Sequence, residues 1–115
     1  MKKWFEVYQT EEAEFRPVVT EESFRRMPLV VSVEAENVDD VFEMGNHPLR
    51  REELHEYMSP SQKRHGMRSI SVGDVIREVS GTQRYDKELD RYVTNDIDWV
   101  VERIGWGQLP NRDIY

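Results

Sequence analysis

The sequence predicts a single small α+β domain with a mainly antiparallel sheet and two or three short helices. In the first half of the chain, short capped helical segments alternate with segments rich in β-branched and aromatic residues. In the second half, strand-like segments follow one another through short polar links, which favours antiparallel pairing. The 115 residues match the length of one ordinary domain, so we expect one unit spanning residues 1–115.

The N-terminal third contains signals for two strands and one helix. Trp4–Thr10 is dense in aromatic and β-branched residues and is predicted to be a strand. Thr20 is followed by acidic residues and Pro28 stops the pattern, which together predict a short helix over Glu21–Arg26. Leu29–Glu36 is β-branched and alternating, and it is predicted to be the second strand.

A capped helix follows this strand. Asn37 is a suitable N-cap because its side-chain oxygen can accept hydrogen bonds from the backbone N–H groups of the first turn. Asp39 and Asp40 lie where the helix dipole favours negative charge. Gly45 is placed to adopt the left-handed conformation that ends a helix. A further helix is expected within residues 47–58, and its apolar residues are Leu49, Leu54, Tyr57 and Met58.

The segment RSISVGDVI, Arg68–Ile76, is predicted to be a kinked central strand. Ile70 and Val72 alternate with serines, which is typical of a strand with one buried face. Gly73 offers a position for positive φ, and Asp74 favours a turn. A bulge or tight bend there would return the chain to the sheet.

The C-terminal part is predicted to contain one or two more strands, at Tyr92–Val93 and Trp99–Ile104. The stretch SGTQRYDKELD before them is interpreted as a polar connection, long enough to be mobile. Gly105 and Gly107 are expected to let the chain bend around Trp106.

Composition narrows the classes of partner. A hydrophobic fraction of 37% with three Trp and four Phe suffices for one small core. The net charge of −7 argues against tight non-specific binding to nucleic acid, where Lys and Arg supply the affinity. The chain has no cysteine, no apolar run near membrane-spanning length and no signal-peptide pattern at its start. We therefore expect a cytoplasmic protein that does not bind a membrane.

Few residues suggest catalysis or metal binding. The three histidines, His47, His55 and His65, do not form an H-E-x-x-H pattern. His55 is interpreted as a surface residue of a helix and His47 as a loop residue. Asp96 and Asp98 have the spacing that places two carboxylates on one strand face, where they could act as an acid/base pair. Solvated acids are the commoner case on strand faces. We expect no metal, no cofactor and no enzymatic activity.

A basic cluster is the main candidate for a binding surface. It consists of Lys63, Arg64 and His65, in the loop before RSISVGDVI, and of Arg68, the first residue of that segment. Such a loop could meet a phosphate backbone or an acidic partner, or its charges could pair with the surplus carboxylates of the chain.

Three blocks together resemble the YodL-like family of small domains: the helix AENVDDVFEMGNHP, the segment RSISVGDVI and the closing IGWGQL. Members of this family occur in phages, plasmids and other mobile elements, and in bacterial and archaeal genomes. The resemblance covers about residues 30–109, and it implies a role in host interaction or anti-defence. The stretch between Val79 and Trp99 is longer than the family pattern. The matching positions are Phe42, Asn46, Arg68, Ser69, Ser71, Val72, Gly73, Asp74, Val75, Gly105 and Trp106.

Two functions remain open besides catalysis by Asp96, Asp98 or His65. The first is a small acidic module that binds another protein, as indicated by the charge balance and the aromatic residues near the C-terminus. The second is an RNA-, DNA- or nucleotide-binding module, because SVGDVI beside a basic loop is similar to β-barrel domains of the PUA or ASCH type. Arg77 would add a phosphate contact there, and Trp99 or Trp106 would stack on bases. The candidate binding residues are Lys63, Arg64, Arg68, Ser69, Asp74 and Trp106.

Overall fold

The computed structural model of the chain describes residues 2–10, 19–47, 50, 53–54, 56–58, 60, 67–102 and 105–109. Within these residues it contains seven strands and two helices. In chain order they are β1 (Lys3–Tyr8), α1 (Glu21–Arg25), β2 (Leu29–Ala35), α2 (Val38–Asn46), β3 (Val75–Val79), β4 (Gln83–Asp86), β5 (Arg91–Thr94), β6 (Ile97–Val101) and β7 (Trp106–Leu109).

Five strands form one sheet in the order β2-β1-β3-β6-β7, and every neighbouring pair is antiparallel. β4 and β5 pair separately as a two-stranded antiparallel ribbon. The predicted α+β class with a mainly antiparallel sheet is confirmed. The connection from β2 to β3 carries α2 and places β3 at the centre of the five strands.

Each face of the five-stranded sheet carries an apolar cluster. One face carries the larger apolar cluster, to which β1 contributes Phe5 and Val7, β2 contributes Val31 and Val33, and α2 adds its apolar side. The other face carries a smaller cluster in which Phe24 of α1 packs with strand residues. Residues of this smaller cluster are Val19, Phe24, Met27, Val75 and Val100.

The two helix starts are confirmed, because both depend on local hydrogen bonds. Thr20 caps α1 by accepting from the backbone N–H of Ser23, whose hydroxyl in return accepts from the Thr20 N–H. Asn37 caps α2 by accepting from the backbone N–H of Asp40 at 2.9 Å. The further helix expected within 47–58 lies largely outside the described residues, although Leu54 and Met58 are buried in the larger cluster.

The predicted end of α2 is wrong. Gly45 does not close the helix in a left-handed conformation; α2 continues to Asn46, and His47 is its C-cap with φ of −93°. Gly45 is buried inside the helix because Ile70 packs directly against it. A Cβ atom at position 45 would lie 2.5 Å from Ile70 Cδ1 and 2.8 Å from Ile70 Cγ1.

Most of RSISVGDVI is not a strand, contrary to the prediction. Only its last two residues belong to β3, which continues to Val79. Residues 68–71 do not form a strand, because side chains and turn groups, instead of a neighbouring strand, satisfy the backbone of this loop. The positive φ at Gly73 is confirmed at +93°, in a turn in which the Asp74 N–H donates to the Ser71 carbonyl.

The C-terminal strands also differ from the prediction. The stretch interpreted as a mobile connection forms β4 and the turn into β5, so it is a hairpin. Tyr92–Val93 is confirmed as strand within β5, whereas the last predicted strand begins earlier, at Ile97, and ends at Val101. The bend expected beside Trp106 is confirmed at Gly105, whose φ is +78°, but Trp106 and Gly107 lie beyond the bend because they begin β7. Among the described helices, none is long and apolar enough to cross a membrane.

The packing of Ile70 on Gly45 predicts the effect of Gly45→Ala. Alanine improves helix propensity by about 1 kcal/mol, but forcing a methyl group into a packed core costs about 1–3 kcal/mol. We expect a net loss of up to about 2 kcal/mol in the free energy of unfolding, measured by urea denaturation. The loss should shrink in an Ile70→Val background, which lacks Cδ1. An equal loss in both backgrounds would contradict this packing.

Candidate functional site

A buried ion pair lies at the centre of the loop formed by residues 67–74. Asp74 is only 2% exposed, and Arg68 binds both of its oxygens. Arg68 Nη2 donates to Oδ1 at 2.7 Å, and Nη1 donates to Oδ2 at 2.9 Å. This two-point geometry is the strongest form of an arginine–carboxylate contact, and it fixes the orientation of both groups.

Further donors complete the surroundings of the Asp74 carboxylate. Gln9 Nε2 donates to Oδ2 at 3.1 Å, and the backbone N–H of Ser71 donates to the same oxygen at 2.8 Å. Arg68 also donates from Nε to the Thr10 carbonyl at 3.0 Å and from Nη2 to the Thr10 hydroxyl at 3.2 Å. The pair therefore fastens the loop to the end of β1.

A second clamp joins the same loop to α2. The side chain of Asn46 binds both backbone groups of Ile70: its Nδ2 donates to the carbonyl at 3.0 Å, and its Oδ1 accepts from the N–H at 2.6 Å. These are the two bonds that a neighbouring strand would otherwise supply. They hold the Ile70 side chain in the larger apolar cluster, where it is 3% exposed.

Trp106 makes its contacts elsewhere. Its indole Nε1 donates to Asp39 Oδ1 at 2.8 Å, and its ring meets Phe42 edge-on with 5.9 Å between the ring centroids. Trp106 thus fastens β7 to α2, on the side of the sheet that carries the larger cluster.

The structure brings three of the candidate binding residues together, namely Arg68, Ser69 and Asp74. Ser69 contributes its carbonyl, which accepts from Arg68 Nη1 at 3.1 Å. Lys63 and Arg64 lie outside the described residues, as do His55 and His65. The internal partners of the described candidates account for their positions, and a role for them in ligand binding stays a prediction.

A second polar cluster surrounds Arg77 of β3, on the face of the sheet that carries the smaller apolar cluster. Arg77 Nε donates to Asp98 Oδ1 at 2.8 Å, and Nη1 donates to the Tyr8 hydroxyl at 3.3 Å. The Tyr8 hydroxyl in turn donates to Glu6 Oε1 at 3.0 Å. The guanidinium also lies 5.3 Å from the ring centroids of Tyr8 and Phe24, within cation–π range.

Burial and charge shift the titration of this cluster. Burial raises the pKa of Tyr8 to about 12, although the charge of Arg77 acts in the other direction. Burial also raises the pKa of Asp98, and its hydrogen bond with Arg77 counteracts part of that shift. For Arg77, burial lowers the pKa, but the hydrogen bond and charge of Asp98 outweigh it and the net shift is upward.

The residues proposed for acid/base chemistry have internal partners. Asp98 is bound to Arg77, and Asp96 accepts from the N–H of Ser80 at 2.7 Å and from its hydroxyl at 3.1 Å. Trp99, proposed as a stacking residue, packs against the larger apolar cluster. Among the described residues, no group of three or more acidic or histidine side chains is placed to hold a metal ion.

The hairpin formed by β4 and β5, residues 83–94, is called the arm below. Tyr85 and Tyr92 lie opposite each other across it, with 5.3 Å between ring centroids, and they are 47% and 52% exposed. Leu89, in the turn, is 48% exposed. Asp86 stabilises that turn, since its Oδ1 accepts from the backbone N–H groups of Glu88 and Leu89.

Sequence reasoning missed the arm, although a signal for it was present. Tyr85 and Tyr92 flank a stretch of acidic and basic residues in which Asp86 can cap a turn, which is the pattern of a hairpin. At the base of the arm lies an open groove of about 380 Å³, lined by Val79, Gly81, Thr82, Gln83, Thr94 and Asp96.

Comparison of the chain with protein-family models, with curated proteins and with solved structures finds no match in any of the three. The resemblance to the YodL-like family therefore stays a prediction.

The buried ion pair predicts a large effect of Asp74→Asn on stability. Removing one charge leaves the Arg68 guanidinium without its counter-ion in a site largely closed to water, which costs about 3–5 kcal/mol. Urea denaturation should show this loss in the free energy of unfolding. Glu22→Gln is the matched control, because Glu22 pairs with Arg26 at 3.1 Å but both side chains are about 80% exposed; we expect a change below about 1 kcal/mol. Similar effects of the two substitutions would contradict a structural role for the buried pair.

Proposed function

We propose that this protein is a non-enzymatic module that binds another protein, and that the arm is its contact surface. The observation that carries this proposal is the exposure of Tyr85, Leu89 and Tyr92 on a hairpin outside the five-stranded sheet. A link to mobile elements or host defence depends on the family resemblance alone.

The composition of the arm favours a protein partner. Tyrosine presents a large amphipathic surface with little conformational entropy to lose, and it is enriched where binding energy is concentrated. The apolar cores of the domain do not include Tyr85, Leu89 or Tyr92. Val93, by contrast, is 1% exposed, because it lies on the other side of the ribbon from Tyr85 and Tyr92.

The charges of the described residues favour a protein over a nucleic acid. The arm contains three basic and three acidic residues, and the whole chain has a net charge of −7. Arg68 and Arg77, the described basic residues proposed to contact phosphates, each bind a buried carboxylate. Phosphate binding needs a net excess of accessible cationic groups, and the arm has none.

The test is affinity capture from cells of the source organism, followed by binding measurements with the recovered partner. The double variant Tyr85→Ser/Tyr92→Ser should weaken binding at least about tenfold, because interface tyrosines commonly contribute more than 1 kcal/mol each. Tyr57→Ser is the matched control, since Tyr57 is a 40% exposed tyrosine outside the arm.

Circular dichroism and thermal melting should show that both variants remain folded, because neither change touches a buried core residue. A photo-crosslinker in place of Leu89 should react with the same partner. Binding that is unaffected by the double variant, or recovery of RNA or DNA as the partner, would overturn the proposal.

A further inference from the structure

The outer edge of β2 is the longest strand edge that the described sheet leaves without a neighbour. β2 has seven residues and pairs with β1 on one side; among the described residues, no strand pairs with its other side. The other edge of the sheet, β7, has only four residues. We propose that β2 pairs antiparallel with β2 of a second copy of this chain, so that two sheets join into one.

The exposure of β2 residues indicates which backbone groups point outward. Val31 and Val33 are 0% exposed and Ala35 is 1% exposed, so their backbone groups as well as their side chains are shielded. Ser32 and Glu34 between them are partly exposed. In an antiparallel pair, alternate residues direct their N–H and C=O groups to opposite sides. Ser32 and Glu34 therefore present the groups available to a new strand.

From Val31 to Ala35, β2 has few of the features that usually prevent such pairing. Natural edge strands are protected by lysines, prolines, bulges or short length. In β2 the irregularity lies near its start, where the register with β1 shifts between Val7 and Tyr8, and it leaves Val31–Ala35 regular. Glu34 is the single charged residue of the strand.

A second copy fits this edge because β2 is self-complementary about Val33. A two-fold axis at Val33 places Val31 opposite Ala35 and Ser32 opposite Glu34 of the other copy. The carboxylate then faces a hydroxyl, whereas an axis at Glu34 would bring two carboxylates together. About four backbone hydrogen bonds would form between Ser32 and Glu34 of the two copies, and the apolar faces under α2 would become continuous.

Sedimentation velocity of the full-length chain over a range of concentrations tests the pairing. We expect the unmodified protein to show a reversible monomer–dimer equilibrium. Dimerisation should become tighter as salt is added, because salt screens the repulsion between two chains that each carry a net charge of −7. A monomer at every concentration and salt level would overturn the proposal.

A matched pair of substitutions tests the register. The two-fold axis creates two equivalent contacts between position 32 of one copy and Glu34 of the other. Ser32→Glu would place two carboxylates together at each contact, whereas Ser32→Lys would form an ion pair at each. The dissociation constant should therefore be at least about tenfold higher for Ser32→Glu than for Ser32→Lys. The double variant Ser32→Glu/Glu34→Lys should restore dimerisation. Equal dissociation constants for the two single variants would overturn the proposed register.

A spin-label measurement keeps the proposal testable if the charged variants fold poorly. The chain has no cysteine, so Ser32→Cys introduces the single labelling site. In the proposed dimer the two Cα atoms at position 32 are diagonal neighbours, about 7–8 Å apart. Strong dipolar broadening is the expected result. A dimer without broadening would show that a different surface pairs, and capture of a foreign extended peptide by β2 without self-association would equally overturn the proposal.

Discussion

Asp74 carries its charge where almost no water reaches it, and a carboxylate in that position is stable only if fixed donors replace the lost water. Arg68 supplies two of these donors, and Gln9 and the backbone of Ser71 supply two more. The consequence is geometric as well as energetic. The loop of residues 67–74 is held against the end of β1. It also fixes where β3 begins relative to β6, since the Val101 N–H donates to the Asp74 carbonyl at 3.0 Å.

The features predicted correctly from the sequence are those that depend on near neighbours in the chain. Asn37 and its first turn fix the start of α2, and Thr20 with Ser23 fixes the start of α1. The errors have tertiary causes. Ile70 alternates with serines as in a strand, yet Asn46, 24 residues away, supplies the partner for its backbone. Gly45 resembles a helix terminator in sequence, but Ile70 requires a residue without a side chain there.

The candidate site could be predicted only in part for the same reason. The sequence identified Arg68 and Asp74 as candidate binding residues, but it could not show that the two bind each other. The side chains that carry the family resemblance and that the structure describes, such as Asn46, Arg68, Asp74 and Trp106, hold α2, the loop and β7 together. With these groups engaged inside the fold, the arm and the outer edge of β2 are the two surfaces, among the described residues, that we propose for partners.

Native-state hydrogen exchange at the backbone N–H of Ser71 tests the central claim most directly. That N–H donates to the buried carboxylate of Asp74 and not to a strand, so its protection reports on the ion pair itself. We expect Ser71 to exchange as slowly as the N–H groups of β3, through global unfolding. In Arg68→Lys, which retains the charge but loses the two-point contact, its exchange should become faster while β3 remains protected. Rapid exchange of Ser71 in the unmodified protein would contradict the claim that the ion pair organises this loop.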